Sequence, residues 1–105
     1  MMLMTKAIEK KIPTLYATEK TPCDDKICQV KFFHPFSNMT WYATEFNPET
    51  GMFFGWVKSD FPEWGYFSLV EMETTKIRGL RMERDMWFKP TKMKNITDYQ
   101  RNGMK

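Results

Sequence analysis

NMTWYATEFNPETGMFFGW, residues 38–56, decides the fold. It reads as two strands joined by a turn. Thr40 to Phe46 is rich in β-branched and aromatic residues, and so is Met52 to Lys58. Between them NPETG supplies Pro48, which presets φ, and Gly51, which is free to take positive φ. Pairing Phe46 with Met52 puts Thr44 against Phe54 and Tyr42 against Trp56. One face then reads Tyr42, Thr44, Phe46, Met52, Phe54, Trp56, and is the expected core. The other reads Trp41, Ala43, Glu45, Phe53, Gly55, Val57. A half-buried strand needs apolar side chains on one face only. Here the second face also carries large aromatics, with a trough at Ala43 and Gly55 between Trp41 and Phe53.

Outward from the hairpin, Thr5 is placed to cap a short helix over Lys6 to Lys11, which Pro13 ends. Residues 14–25 are polar and rich in turn formers. Lys26 to Phe33 is the expected first strand, and HPFSN the turn into the hairpin. Downstream, GYF reads as a short strand. Ser68 with Glu71 three residues on forms a capping box for a helix over Leu69 to Thr74. Arg81 to Phe88 alternates as a last strand, Pro90 stops it, and a weak helix is expected over Ile96 to Arg101. The class is α+β: an antiparallel sheet of four or five strands, a short N-terminal helix and a short helix before the last strand.

The chain has 105 residues, one domain's worth. Apolar residues are 42% and charged residues 28%, ordinary for a globular protein, whereas aromatics reach 16%. No run of apolar residues is long enough to span a membrane, and MMLMTKAIEKKIP lacks the form of a secretory leader. A cytoplasmic protein of a bacterium, or of an element living in one, is the expectation. Net charge is +3 and uneven. Through residue 88, 11 Lys and Arg stand against 12 Asp and Glu. From 89 on, Lys89, Lys92, Lys94, Arg101 and Lys105 stand against Asp98. Residues 1–88 therefore read as the domain and 89–105 as a basic tail, suited to solvent or to an acidic partner.

The chemistry-bearing residues are sparse. Cys23 and Cys28, with four residues between them, fit neither a redox CxxC nor a zinc knuckle. His34 is the lone histidine. Glu45, Glu71, Glu83 and Asp85 are the candidate acids. Glu83 and Asp85 would share a strand face roughly 7 Å apart, but Arg81 and Arg84 beside them explain both as ion pairs. There is no glycine-rich phosphate loop and no nucleophile elbow. No enzyme, metal or cofactor is expected.

Binding fits the residue types better. Aromatics, Met and Arg are enriched in interface cores, so a protein partner is the first expectation, or a homodimer. Trp41, Phe53 and Trp64 are expected to line the surface, with Arg81, Arg84 and Trp87 beside them. A second reading is a single-stranded nucleic-acid platform, with bases on Trp41, Phe53 and Trp87 and phosphates on Lys31, Lys58, Arg81 and the tail. A third is a nucleotide sponge, with Trp41 and Trp64 on the base and Arg81 or Arg84 on phosphate.

The strand ending KFFHP, then TWYATEF, FFGW, EWGYFSL and ERDMWF, occurs in that order from Lys31 to Phe88. This series resembles the domain of unknown function 2958 family of small bacterial, plasmid and phage proteins. Val70 and Met72 depart from the more polar or Leu residues usual there, and the stretch after Phe88 lies outside the resemblance. The resemblance implies no activity. It implies an accessory gene of plasmids, conjugative elements or phages, often near anti-restriction genes, and hence a counter-defence role against host machinery.

Overall fold

In the computed structural model, which describes residues 2–102, the Thr5 hydroxyl accepts the Ile8 amide at 3.2 Å and caps α1, Lys6–Lys11. A 3-10 turn at Cys23–Asp25 leads to β1 (Ile27–Cys28) and β2 (Val30–Phe33). The hairpin follows as β3 (Thr40–Asn47) and β4 (Met52–Lys58), then β5 (Glu63–Ser68). Ser68 caps α2 (Leu69–Thr74) by accepting the Glu71 amide at 3.2 Å. Then come β6 (Lys76–Ile77), β7 (Leu80–Arg81), β8 (Glu83–Arg84), β9 (Thr91–Lys92), a 3-10 turn at Met93–Asn95 and α3 (Thr97–Asn102). The main sheet is antiparallel, in the order β5-β4-β3-β2-β8. β1 pairs with β9 and β6 with β7 in two small ribbons. The α+β class and the five-stranded sheet are as expected from the sequence.

The hairpin differs from expectation at one residue. Tyr42 faces Trp56 and Ala43 faces Gly55, but the register then slips between Ala43 and Glu45. Phe46 faces Phe53, and Asn47 faces Met52. Thr44 is the extra residue of a β-bulge, and its hydroxyl donates to the Phe54 carbonyl at 3.1 Å. A one-residue insertion moves every later side chain to the other face. The face expected as core is therefore split in two. Gly51 takes φ +73° in the turn, as the reading of NPETG requires.

Both faces carry a buried core. On the first, Val30, Phe32, Ala43, Phe46, Phe53 and Phe67 pack under Leu3, Met4, Ile12, Met72 and Met82, with Trp41 and Val57 at the margin. On the second, Cys28, Tyr42 and Trp56 pack under Met93, Ile96 and Tyr99, with Trp64 and Phe88 beside them. Each large side chain so buried contributes roughly 1.5–3 kcal/mol. Aromatics on both faces of the hairpin thus serve two thin cores.

Two readings need correction. Residues 91–102 are no tail: they form the second covering layer, with Met93, Ile96 and Tyr99 buried. Residues 103–105 lie outside the described part. The strand expected over Arg81 to Phe88 is broken. Only Glu83 and Arg84 pair in the main sheet; the Asp85 amide still donates to the Lys31 carbonyl at 2.9 Å, and there the chain turns, as Asp85 accepts the Trp87 amide on its Oδ1 at 2.9 Å.

Candidate functional site

Tyr99 of α3 packs in one cluster with Tyr42 and Trp56. The register puts Lys31, Phe33, Thr40 and Lys58 on that same second face, and there they floor a cleft of about 560 Å³. Its walls are the turn at 34–39, the segment from Glu83 to Trp87, and Asp98 of α3. The turns at 34–39 and 59–62 meet at this end, where Asn38 Nδ2 donates to Asp60 Oδ1 at 3.1 Å.

Two ion pairs shape the cleft. Lys31 Nζ lies 3.6 Å from Asp85 Oδ2, and Lys58 Nζ lies 3.6 Å from Asp98 Oδ1. All four side chains are about a quarter to a third exposed, so each pair is worth only about 0–1 kcal/mol and exchanges easily for a ligand anion. Asp98 Oδ2 also accepts the Tyr42 hydroxyl at 2.5 Å. Burial, and then this carboxylate, push the Tyr42 phenol far above its ordinary range, so it stays a donor. Trp87 is 91% exposed, and Met86 beside it is also exposed.

His34 walls the cleft but is committed. Nε2 meets the Leu80 carbonyl at 2.8 Å, and Nδ1 accepts the Phe36 amide at 3.0 Å. The ring is thus the Nε2–H tautomer, a clamp between two chain segments. Arg84 is likewise an anchor: its guanidinium donates to the Met2 and Leu3 carbonyls at 2.6 and 3.0 Å.

The expected surface residues are not brought together. Phe53 is fully buried, so it lines no surface. Trp41 packs on the first core and Trp64 on the second, on opposite faces of the sheet. Trp64 stacks on Phe54 and meets Tyr99 edge-on. A base cannot lie on both Trp41 and Trp64. Arg81 is exposed outside the cleft lining, whereas Arg84 and Trp87 line it. Lys89, Lys92, Lys94 and Arg101 are exposed, and Lys94 pairs with Asp25 at 3.2 Å. Sequence reasoning singled out neither Asp98 nor Tyr42 as site residues. Their bond joins positions 56 apart, for which the sequence carries no local sign.

The remaining candidate chemistry is engaged in structure. Glu45 is buried with Lys26, their charges 3.6 Å apart. Glu45 also accepts the Tyr16 amide at 2.7 Å and the Thr18 hydroxyl, and Lys26 donates to the Thr18 hydroxyl and carbonyl. This closed network fastens the loop at 14–25 to the bulge. Burial raises the Cys28 thiol well above its ordinary range, which leaves it unreactive. Among the described residues, no group of three or more His, Cys, Asp and Glu is placed to hold a metal ion. Nor is any helix long and apolar enough to cross a membrane.

A family model described as a protein of unknown function (DUF2958) matches residues 3–104, nearly the whole chain and well beyond the stretch that carries the sequence resemblance. Comparison with curated proteins and with solved structures gives no match.

Proposed function

The chain belongs to the DUF2958 family of proteins of unknown function, and we propose that it is a non-catalytic binding protein. Its working surface is the cleft end of the sheet, and its target is a protein. The observation that carries this reading is Trp87, almost wholly exposed yet held in place. Asp85 caps its turn on one oxygen and pairs with Lys31 through the other. A large aromatic exposed to solvent beside an apolar neighbour, on a turn whose backbone is held, has the character of an interface anchor. Phe36 and Phe61, also exposed, stand in the two turns that meet at this end. The biological setting proposed is that of a plasmid or phage accessory factor that binds a component of host defence inside the bacterial cell.

A second reading is favoured by Lys31 and Lys58. Two cations with weak partners, on a floor near an exposed indole, suit a nucleotide, free or within a single strand, with phosphate on the lysines and base on Trp87. The test is capture of partners from host lysate, with and without nuclease, by the wild type and by Trp87→Ala. Under the primary reading one protein is retained stoichiometrically through nuclease and lost with Trp87→Ala. Nucleic acid that elutes as salt rises would replace that reading with the second. Equal capture by both proteins would remove Trp87 from the site and overturn both.

A further inference from the structure

We propose that the chain forms a two-fold dimer by pairing β5 with β5 of a second copy. The two edges of the main sheet are unlike. β8 is two residues long, both charged, and the chain turns away at Asp85. β5 is six residues long and pairs with β4 without a break in register. Its outer side presents alternate amides and carbonyls, and among the described residues no further strand lies beside it. Proteins guard such edges with Lys, Pro, a bulge or short length. The strand EWGYFS has no Lys, no Pro and no bulge.

The strand is its own complement. Pairing about Gly65 puts Gly65 of both copies on the axis, Trp64 against Tyr66 of the second copy, and Tyr66 against its Trp64. Opposed side chains then share a face, as antiparallel pairing requires. Trp64 and Tyr66 both lie on the second face, where Phe54 contacts each at 5.2–5.6 Å between ring centroids. Tyr66 is 54% exposed in the single chain. The pairing covers it with an aromatic partner, a favoured cross-strand combination. Gly65 supports the same geometry. A Cβ there would meet nothing within 4 Å, so the fold of one chain does not require glycine. A strand glycine commonly marks close approach by another backbone. The two Glu63 carboxylates fall at opposite ends of the ladder, roughly 14 Å apart along it, beyond the screening length of about 8 Å at physiological salt. The occupant is therefore a second copy, which yields a continuous sheet of twice five strands.

Sedimentation across a dilution series tests this, together with amide exchange in β5. The expected wild type is a dimer that dissociates on dilution, with the outward β5 amides protected only in the dimer. Tyr66→Lys places like charges beside the axis and is expected to give a monomer that stays folded at low concentration. Trp87→Ala, at the other site, is expected to stay dimeric. A wild type that remains monomeric at millimolar concentration overturns the proposal. So does a dimer whose β5 amides exchange as fast as the monomer's, or one that Trp87→Ala dissociates.

Discussion

Asp85 ties Lys31 to the turn that presents Trp87: its Oδ2 lies 3.6 Å from the ammonium, and its Oδ1 accepts the Trp87 amide at 2.9 Å. One side chain thus holds both a cation and the backbone that carries Trp87 at the cleft. Asp85→Ala releases both. Because the pair is partly exposed, the loss of stability is expected to stay near 1 kcal/mol. Partner binding is expected to fall by about tenfold or more, since ordering the Trp87 turn would then cost free energy on binding. Calorimetric melting and a binding titration on the same variant check this. A large fall in melting temperature with unchanged affinity would make Asp85 purely structural.

The four tryptophans separate by layer, and their substitutions should separate too. Trp87→Ala is expected to change stability by less than about 0.5 kcal/mol, as for a surface site. Trp41→Ala opens the first core, and Trp56→Ala, at 1% exposure, opens the second. The Trp56 change is expected to cost about 3–5 kcal/mol and the Trp41 change less, near 2 kcal/mol. Denaturant titration of the three variants is the check. A silent Trp41→Ala would return Trp41 to the candidate surface.

Gly55 and Gly65 face each other across β4 and β5 but answer to different constraints. A Cβ at Gly55 would lie 2.0 Å from the Tyr42 carbonyl oxygen, which belongs to backbone. Gly55→Ala must therefore push β3 and β4 apart, at an expected cost of about 3 kcal/mol. Gly65→Ala meets open space and is expected to be neutral within about 0.5 kcal/mol. Paired melting curves in dilute protein decide it, and equal effects would contradict the backbone approach at the bulge.

Local signals in the sequence were enough for the local structure. Thr5 and Ser68 announce their helices because a hydroxyl three residues before a free amide is a short-range relation. NPETG announces its turn for the same reason. The bulge at Thr44 is different: Thr is an ordinary strand residue, and the slip is fixed by what Ala43 and Phe46 each face across β4. The same holds for the basic stretch after Phe88. Lys89, Lys92, Lys94 and Arg101 lie on the surface, whereas its role is set by Met93, Ile96 and Tyr99 meeting a sheet face far away in sequence. Trp87 was legible as a candidate, but the alternation from Arg81 to Phe88 suggested a strand. The side chain of Asp85 competes for the Trp87 amide and ends that strand early.

The covering layer predicts an alkaline limit. The Tyr99 hydroxyl donates to Asp24 Oδ1 at 2.6 Å, and burial first and then this carboxylate push the phenol up from 10.0 to about 12. Cys28, beneath the same layer, is raised above its ordinary 9.0 by burial. In both groups the folded state favours the protonated form. Their stabilisation is fully present below the unfolded values and is lost as pH rises past them. Stability is therefore expected to hold to about pH 9, then to fall, with the Tyr99 share going between 10.0 and about 12. Tyr99→Phe has no proton to lose, so its curve should be flatter in that upper window, although its stability at neutral pH is lower by the lost hydrogen bond. Urea unfolding from neutral to alkaline pH on both proteins is the measurement. Parallel curves above pH 10 would show that Tyr99 ionises alike in the folded and unfolded chain, and that the layer over Tyr42 and Trp56 does not hold its phenol.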